Sequence, residues 1–181
     1  MKKIMIALAA IATAVSVHAA AVGWSLGGNN TSYANDAYMM FVIGQNNVES
    51  IATVTALLDA GSSIDSYAFG SGAIAANGNV NMGSSASGKT LDAGTYTAFF
   101  VVFDSATPTA GSSNYAVVSG ASTLTKTVAA TAANVTFAAG SAASILNNTD
   151  NWKSYGAVPE PTSGLLLLLG VAGLALKRKR A

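Results

Sequence analysis

The chain has 181 residues, of which 51% are hydrophobic and only 9% charged; nine Lys and Arg face eight Asp and Glu, with one histidine and no cysteine. That length allows one domain of ordinary size plus targeting segments, and the apolar content excludes a disordered chain. Without cysteine no disulfide supports the fold, and with so few charges the polar surface must be built mainly from Ser, Thr, Asn and Gly.

The first nineteen residues, MKKIMIALAAIATAVSVHA, place Lys2 and Lys3 before an apolar run from Ile4 to Val17 and then small residues. This is the layout of a secretory signal peptide, so segment 1–19 is expected to engage the secretion machinery and signal peptidase. Val17 and Ala19 supply the small side chains needed at the minus three and minus one sites. Cleavage is expected after Ala19, with Ala20 or Ala21 as alternatives. Its removal takes away His18, the only histidine. The exported body then has neither imidazole nor thiol, which excludes a Ser-His-Asp triad, a Cys nucleophile, His or Cys zinc sites and thiol redox chemistry.

From residue 20 to 156 the pattern is mostly β. Val22 to Leu26 and Ala37 to Ile43 read as strands. The next segment, NNVESIATVTALLDAG, instead sets Ile51, Val54, Leu57 and Leu58 on one helical face. It predicts a helix from Val48 to Ala60, with Asn47 as N-cap and Gly61 as the stop. Its only charges are Glu49 and Asp59, so packing on a sheet is favoured over contact with a membrane.

Ser66 to Phe69 and Asn79 to Met82 are predicted strands, with the intervening GSGAIAANG, Gly70 to Gly78, read as a turn-rich loop. That loop lacks the Gly-Lys-Ser/Thr ending of a phosphate cradle. Thr95 to Asp104, TYTAFFVVFD, is aromatic and β-branched throughout and is expected to be a central strand, apolar on both faces after Ala98. Asn114 to Ser119, Ser122 to Val128 and Asn134 to Phe137 complete the series. Spacing near ten residues, with Gly, Ser and Asn between, predicts a mainly β chain forming a single antiparallel β-sandwich-like domain with one short helix.

Chemistry-bearing residues in the body are few. Its carboxylates are Asp36, Glu49, Asp59, Asp65, Asp92, Asp104 and Asp150, and no spacing among them marks the facing pair a glycoside hydrolase needs. Asp36 with Asn35, or Asp150 with Asn151, could lend oxygens to calcium, but no DxDxDG loop exists. Trp24, Trp152, Tyr33, Tyr38, Tyr67, Tyr115 and Tyr155 are either a sugar-stacking platform or ordinary core and edge residues. For Trp152 and Tyr155, in NWKSYG, fastening of the last strand beside the tail is expected. Three lysines, Lys89, Lys126 and Lys153, against seven carboxylates leave the body near −4, which argues against nucleic-acid binding. No cofactor and no metal is expected.

The chain closes with AVPEPTSGLLLLLGVAGLALKRKRA, residues 157–181. Pro159 and Pro161 flank Glu160, and each biases the residue before it toward an extended conformation. Gly164 to Leu176 is an apolar run expected to form a short transmembrane helix; with Thr162 and Ser163 it reaches about 22 Å at about 1.5 Å per residue. Lys177, Arg178, Lys179 and Arg180 follow as a stop signal that stays cytoplasmic.

Val158-Pro159-Glu160-Pro161, then a Leu/Gly-rich run, then a basic terminus, resemble the PEP-CTERM sorting domain, a tail also described as an ice-binding protein C-terminal domain. The resemblance covers about the last 25 residues. It implies that an exosortase, a membrane-embedded cysteine transpeptidase-like enzyme, recognises Pro-Glu-Pro and processes the tail during export to the cell surface or extracellular matrix. An ordinary single-pass anchor is the alternative for the tail. For the whole chain the expectation is a non-catalytic exported surface or matrix protein, with extracellular polysaccharide among its surroundings. The alternative is an exported carbohydrate-active enzyme or glycan-binding module.

Overall fold

Extended segments rich in aromatic and β-branched residues pair into two sheets, and a short helix covers the outer face of one of them. The computed structural model describes residues 19–27, 36–74, 80–82 and 89–156. In chain order the elements are β1 (Ala20–Gly27), β2 (Ala37–Val42), α1 (Ile51–Asp59), β3 (Gly70–Ala73), β4 (Val80–Met82) and β5 (Thr90–Leu91). Then come β6 (Gly94–Phe103), β7 (Asn114–Val118), β8 (Thr125–Val128), β9 (Asn134–Ser141), α2 (Ala143–Leu146) and β10 (Trp152–Ser154). Short 3-10 turns at Ser122–Leu124 and Thr149–Asn151 precede β8 and β10.

In the first sheet β1 lies between β9 on one edge and β4 and β5 on the other, β4 opposite Trp24 to Leu26 and β5 opposite Ala20 and Ala21. The second sheet has the order β10-β7-β6-β2-β3, and β8 takes up the first half of β6 where β7 leaves it. Among the described residues all strand pairs but one are antiparallel. The exception corrects the expectation of a purely antiparallel domain: β1 and β9 run parallel, Val22 opposite Val135 and Trp24 opposite Phe137. Parallel neighbours need a long crossover, and here most of the body lies between the two strands.

β6 is the strand buried on both faces, as its sequence predicts. Ala98, Phe100 and Val102 join β1 residues Val22, Trp24 and Leu26 in the core between the sheets. Phe99, Val101 and Phe103 point the other way, into a second core with Val54 and Leu58 of α1 and with Ile64 and Tyr155. The result is three layers: sheet, sheet, helix. Each large side chain so buried contributes roughly 1.5–3 kcal/mol relative to exposure. Phe41 stacks on Phe99, its direct cross-strand neighbour, at 5.2 Å between ring centres. On the same face Thr95 and Thr97 stand outside that core and are bonded instead to Thr127 and Thr125.

Four local expectations change. The helix starts at Ile51 and not at Val48, because Asn46 and Asn47 sit in a left-handed turn with φ of 51° and 62°. Ser50 is the N-cap, its hydroxyl accepting from the Thr53 amide at 3.2 Å. The helix ends as predicted: Gly61, φ 67°, donates to Leu58, and Ser62 donates to Leu57, the paired bonds of a Schellman stop. Segment 66–69 is not a strand, since Tyr67 and Ala68 both donate back to Ile64 in a turn. The strand follows it in the glycine-rich GSGA of β3, which had read as a loop. A Cβ at Gly70 would overlap the Trp24 ring, and one at Gly72 would lie 2.7 Å from the Tyr38 ring, so only glycine lets this strand close over those aromatics. Finally, Ser122–Leu124 is a 3-10 turn, leaving β8 to begin at Thr125.

Candidate functional site

The residues expected to carry sorting lie at the two ends of the chain, and the body is fastened at both. Ala20 is fully buried as the first residue of β1, opposite Leu91, and the Ala21 amide donates to Ala133 at 2.9 Å. Ala19, the expected cleavage residue, is the last residue before the strand. Residues 1–18 lie outside the described ones.

At the other end Tyr155 and Gly156 are docked on the body. Tyr155 donates its amide to Ser113, accepts from Gly111 and bonds the Ser62 carbonyl through its hydroxyl, while the Gly156 amide donates to Leu58 at 2.8 Å. Gly156 has φ 65° and lies backbone to backbone on Gly61; a Cβ there would be 2.9 Å from Ala110 Cβ and 3.0 Å from Gly61 Cα. Trp152 donates its indole N–H to Leu146, and Tyr155 meets Phe103 edge-on at 5.6 Å. The expected fastening of NWKSYG beside the tail is therefore found. Sequence reading missed the roles of Gly61 and Gly156 as a packed pair; the local clue was a glycine directly before the proline motif.

Val158, Pro159, Glu160 and Pro161, the apolar run, and Lys177, Arg178, Lys179 and Arg180 lie outside the described residues. Among the described residues no helix is long and apolar enough to cross a membrane.

Within the body, the sugar-stacking alternative loses most of its aromatics. Trp24, Tyr38 and Tyr115 are fully buried and Tyr155 is 9% exposed; these are core side chains. Trp24 Nε1 donates to Tyr38 Oη at 2.6 Å, and Tyr115 Oη donates to Asp59 at 2.6 Å. Burial raises both phenol pKa values; for Tyr115 the bond to Asp59 and its charge raise it further, while for Tyr38 the Trp24 bond works against the rise. Tyr67 and Trp152 are half-buried, and Tyr33 lies outside the described residues.

The carboxylates disperse. Glu49, Asp92 and Asp150 are exposed, Asp65 accepts from Ser63, and Asp59 is taken by Tyr115. Only Asp36 and Asp104 come together, one step beyond the Ala37–Phe103 pair where β2 meets β6. Asp36 is 8% exposed; burial pushes its carboxyl up to about 6, and the nearby charge of Asp104 adds to the rise. Both oxygens of Asp104 are held by Asn114, through its amide at 2.8 Å and its side chain at 2.7 Å. The Asp104–Asn114 contact ties the end of β6 to β7, a role no sequence spacing announced. Of the suggested calcium donors, Asp150 and Asn151 sit in an exposed turn in which the Asn151 side chain bonds Ile145, and Asn35 lies outside the described residues. No cluster of three metal-ligating side chains occurs among the described residues.

The described residues include two shallow grooves. One, of about 260 Å³, includes Asp65, Ser71 and Lys89; the lysine is engaged by the Ala68 carbonyl at 2.7 Å and lies 5.6 Å from the centre of the Phe69 ring. The other, of about 400 Å³, runs between α1 and the β7–β10 edge and includes Ile51, Thr55, Val117 and Lys153.

Residues 157–180 match the family model of the PEP-CTERM protein-sorting motif, as the Val-Pro-Glu-Pro, apolar and basic order implies. No curated protein and no solved structure matches the chain.

Proposed function

We propose that the chain is an exported, non-catalytic protein whose tail is read by an exosortase and whose β-rich body, residues 20–156, is the cargo delivered to the cell surface or extracellular matrix. The observation that carries this reading is the sorting-motif match over 157–180, beginning directly after the docked Gly156. The parts divide the work: a leader starts export, the apolar run with Lys177 to Arg180 holds the tail in the membrane, and Pro159-Glu160-Pro161 is the recognition element. Signal peptidase, exosortase and the membrane are the partners it needs.

The non-catalytic role is supported by what the body brings to chemistry. It has no imidazole and no thiol, and Asp59, Asp65 and Asp104 already accept hydrogen bonds from neighbouring side chains.

The test is Glu160→Ala in the full chain, followed by intact-mass measurement of the exported protein. Processing should stop while membrane insertion persists, because the apolar run and the basic cluster are untouched. Unaltered processing would leave a plain membrane anchor in place of a sorting signal.

A further inference from the structure

We propose that the rim of the body around Gly156, formed by residues 60–63 and 105–112, is a docking surface for the outer face of the processing enzyme. The inference rests on the sorting reading above and adds a second contact to the linear motif.

The argument starts from tether length. Gly156 is held by the hydrogen bond from its own amide to Leu58 and by the three hydrogen bonds of Tyr155, so the fold fixes the point from which the tail departs. Only Ala157 and Val158 separate it from Pro159. At about 3.5 Å per extended residue, Pro159 lies at most about 10 Å from Gly156. An enzyme that closes on Pro159-Glu160-Pro161 must therefore approach the body to within the depth of its own surface side chains. What it meets there is fixed by the fold. Gly111 and Ser113 bond Tyr155 directly, Ser62 bonds its hydroxyl, and Ala110 packs under Gly156. Thr107, Thr109 and Ser112 stand exposed on the same loop, whose turns are closed by Ser105 and Thr109.

The chemistry of the rim favours a protein over the bilayer. Neither segment contains a lysine or arginine, while Asp59, Asp65 and Asp104 flank them and are exposed. An anionic lipid surface would repel such a rim, whereas a polar or basic enzyme face would complement it. The bilayer-spanning run also begins farther along, at Gly164, up to about 28 Å of extended chain from Gly156.

The test uses the full chain in cells that process it, read by intact mass. Thr107→Lys with Ser112→Lys places two cations on the exposed rim without touching the Gly156 contacts. Processing should fall several-fold, and a ten-residue Gly/Ser insert between Gly156 and Ala157 should restore it, because the enzyme then grips the motif away from the body. Processing that is unchanged by the lysines, or is raised as attraction to lipid would raise it, overturns the proposal. So does a loss that the insert does not restore, since that marks faulty export or folding. Glu160→Ala, run with and without the insert, separates the two levels: it should abolish processing in both, and survival of processing there would remove the sorting reading itself.

Discussion

Trp24 and Tyr38 join the two sheets by a buried hydrogen bond, indole Nε1 to phenol oxygen at 2.6 Å, and both side chains are fully excluded from solvent. The pair lies under β3, where Gly70 abuts the indole and Gly72 abuts the phenol. This polar contact within an apolar core thus fixes how β1 sits over β2, and two glycines make room for it.

Tyr38→Phe removes the acceptor and leaves the Trp24 N–H buried without a partner. A cost of about 1–3 kcal/mol is expected. Thermal unfolding of the 20–156 body should show a midpoint several degrees lower, with the β spectrum retained. An unchanged midpoint would mean that the hydrogen bond does not couple the sheets.

Gly70→Ala should be at least as costly, since its methyl group would enter the Trp24 ring and the strand must shift outward. Overpacking of this kind costs about 1–3 kcal/mol. Urea unfolding should give a lower midpoint for Gly70→Ala than for an exposed control, Ser71→Ala, on the same strand. Equal midpoints would show that β3 has room to move.

Asp36 gives the body an unusual pH response. Its folded carboxyl titrates near 6, above the unfolded value of about 3.9, so between these values the folded state holds a proton the unfolded state lacks. Its contribution is therefore a penalty above pH 6 that is relieved as pH falls toward 4. Asp36→Asn should stabilise the body at pH 7 to 8, on the order of 1 kcal/mol after allowance for partial solvation, with the difference closing near pH 4. A destabilised Asp36→Asn at pH 7 would mean that the charge is held by a favourable contact.

Legibility in the sequence followed how local each determinant is. β6 announced itself because Phe99 to Phe103 are aromatic or β-branched without interruption, and the α1 stop did so because Gly61 closes an apolar periodicity. β3 was hidden because its sequence answers to rings brought from β1 and β2, not to strand propensity. The fate of Trp24, Tyr38 and Tyr115 was equally hidden, since an aromatic residue becomes core or platform only when topology places a second layer over it. The parallel pairing of β1 with β9 and the meeting of Asp36 with Asp104 join residues far apart in the chain and leave no local trace. The tail was legible because an enzyme that reads a short peptide reads sequence directly.

The docked exit of the tail predicts a strong effect of Gly156→Ala. The residue adopts φ 65°, where a side chain costs about 1–2 kcal/mol, and the new methyl group would press on Ala110 and Gly61. The last turn should detach, exposing Tyr155 and the end of α1 to faster hydrogen exchange than in the parent body. Exchange that stays slow at Tyr155 would show that the turn tolerates the methyl group.

On the proposed reading, the start of β1 bears on which of the expected cleavage sites a signal peptidase uses. Cutting after Ala19 leaves β1 whole, whereas cutting after Ala21 removes Ala20, which is fully buried against Leu91, and Ala21, whose amide bonds Ala133. Mature protein should therefore begin at Ala20 on N-terminal sequencing. The structural cost of a later cut can be measured separately, by comparing bodies that begin at Ala20 and at Val22. The shorter one loses buried Ala20, the hydrogen bond from the Ala21 amide to Ala133 and the whole β5 pairing. Its unfolding midpoint should drop clearly below that of the longer body. If the two bodies melt together, or if sequencing finds Val22 or a later residue at the N-terminus, the first strand is not the boundary that separates leader from cargo.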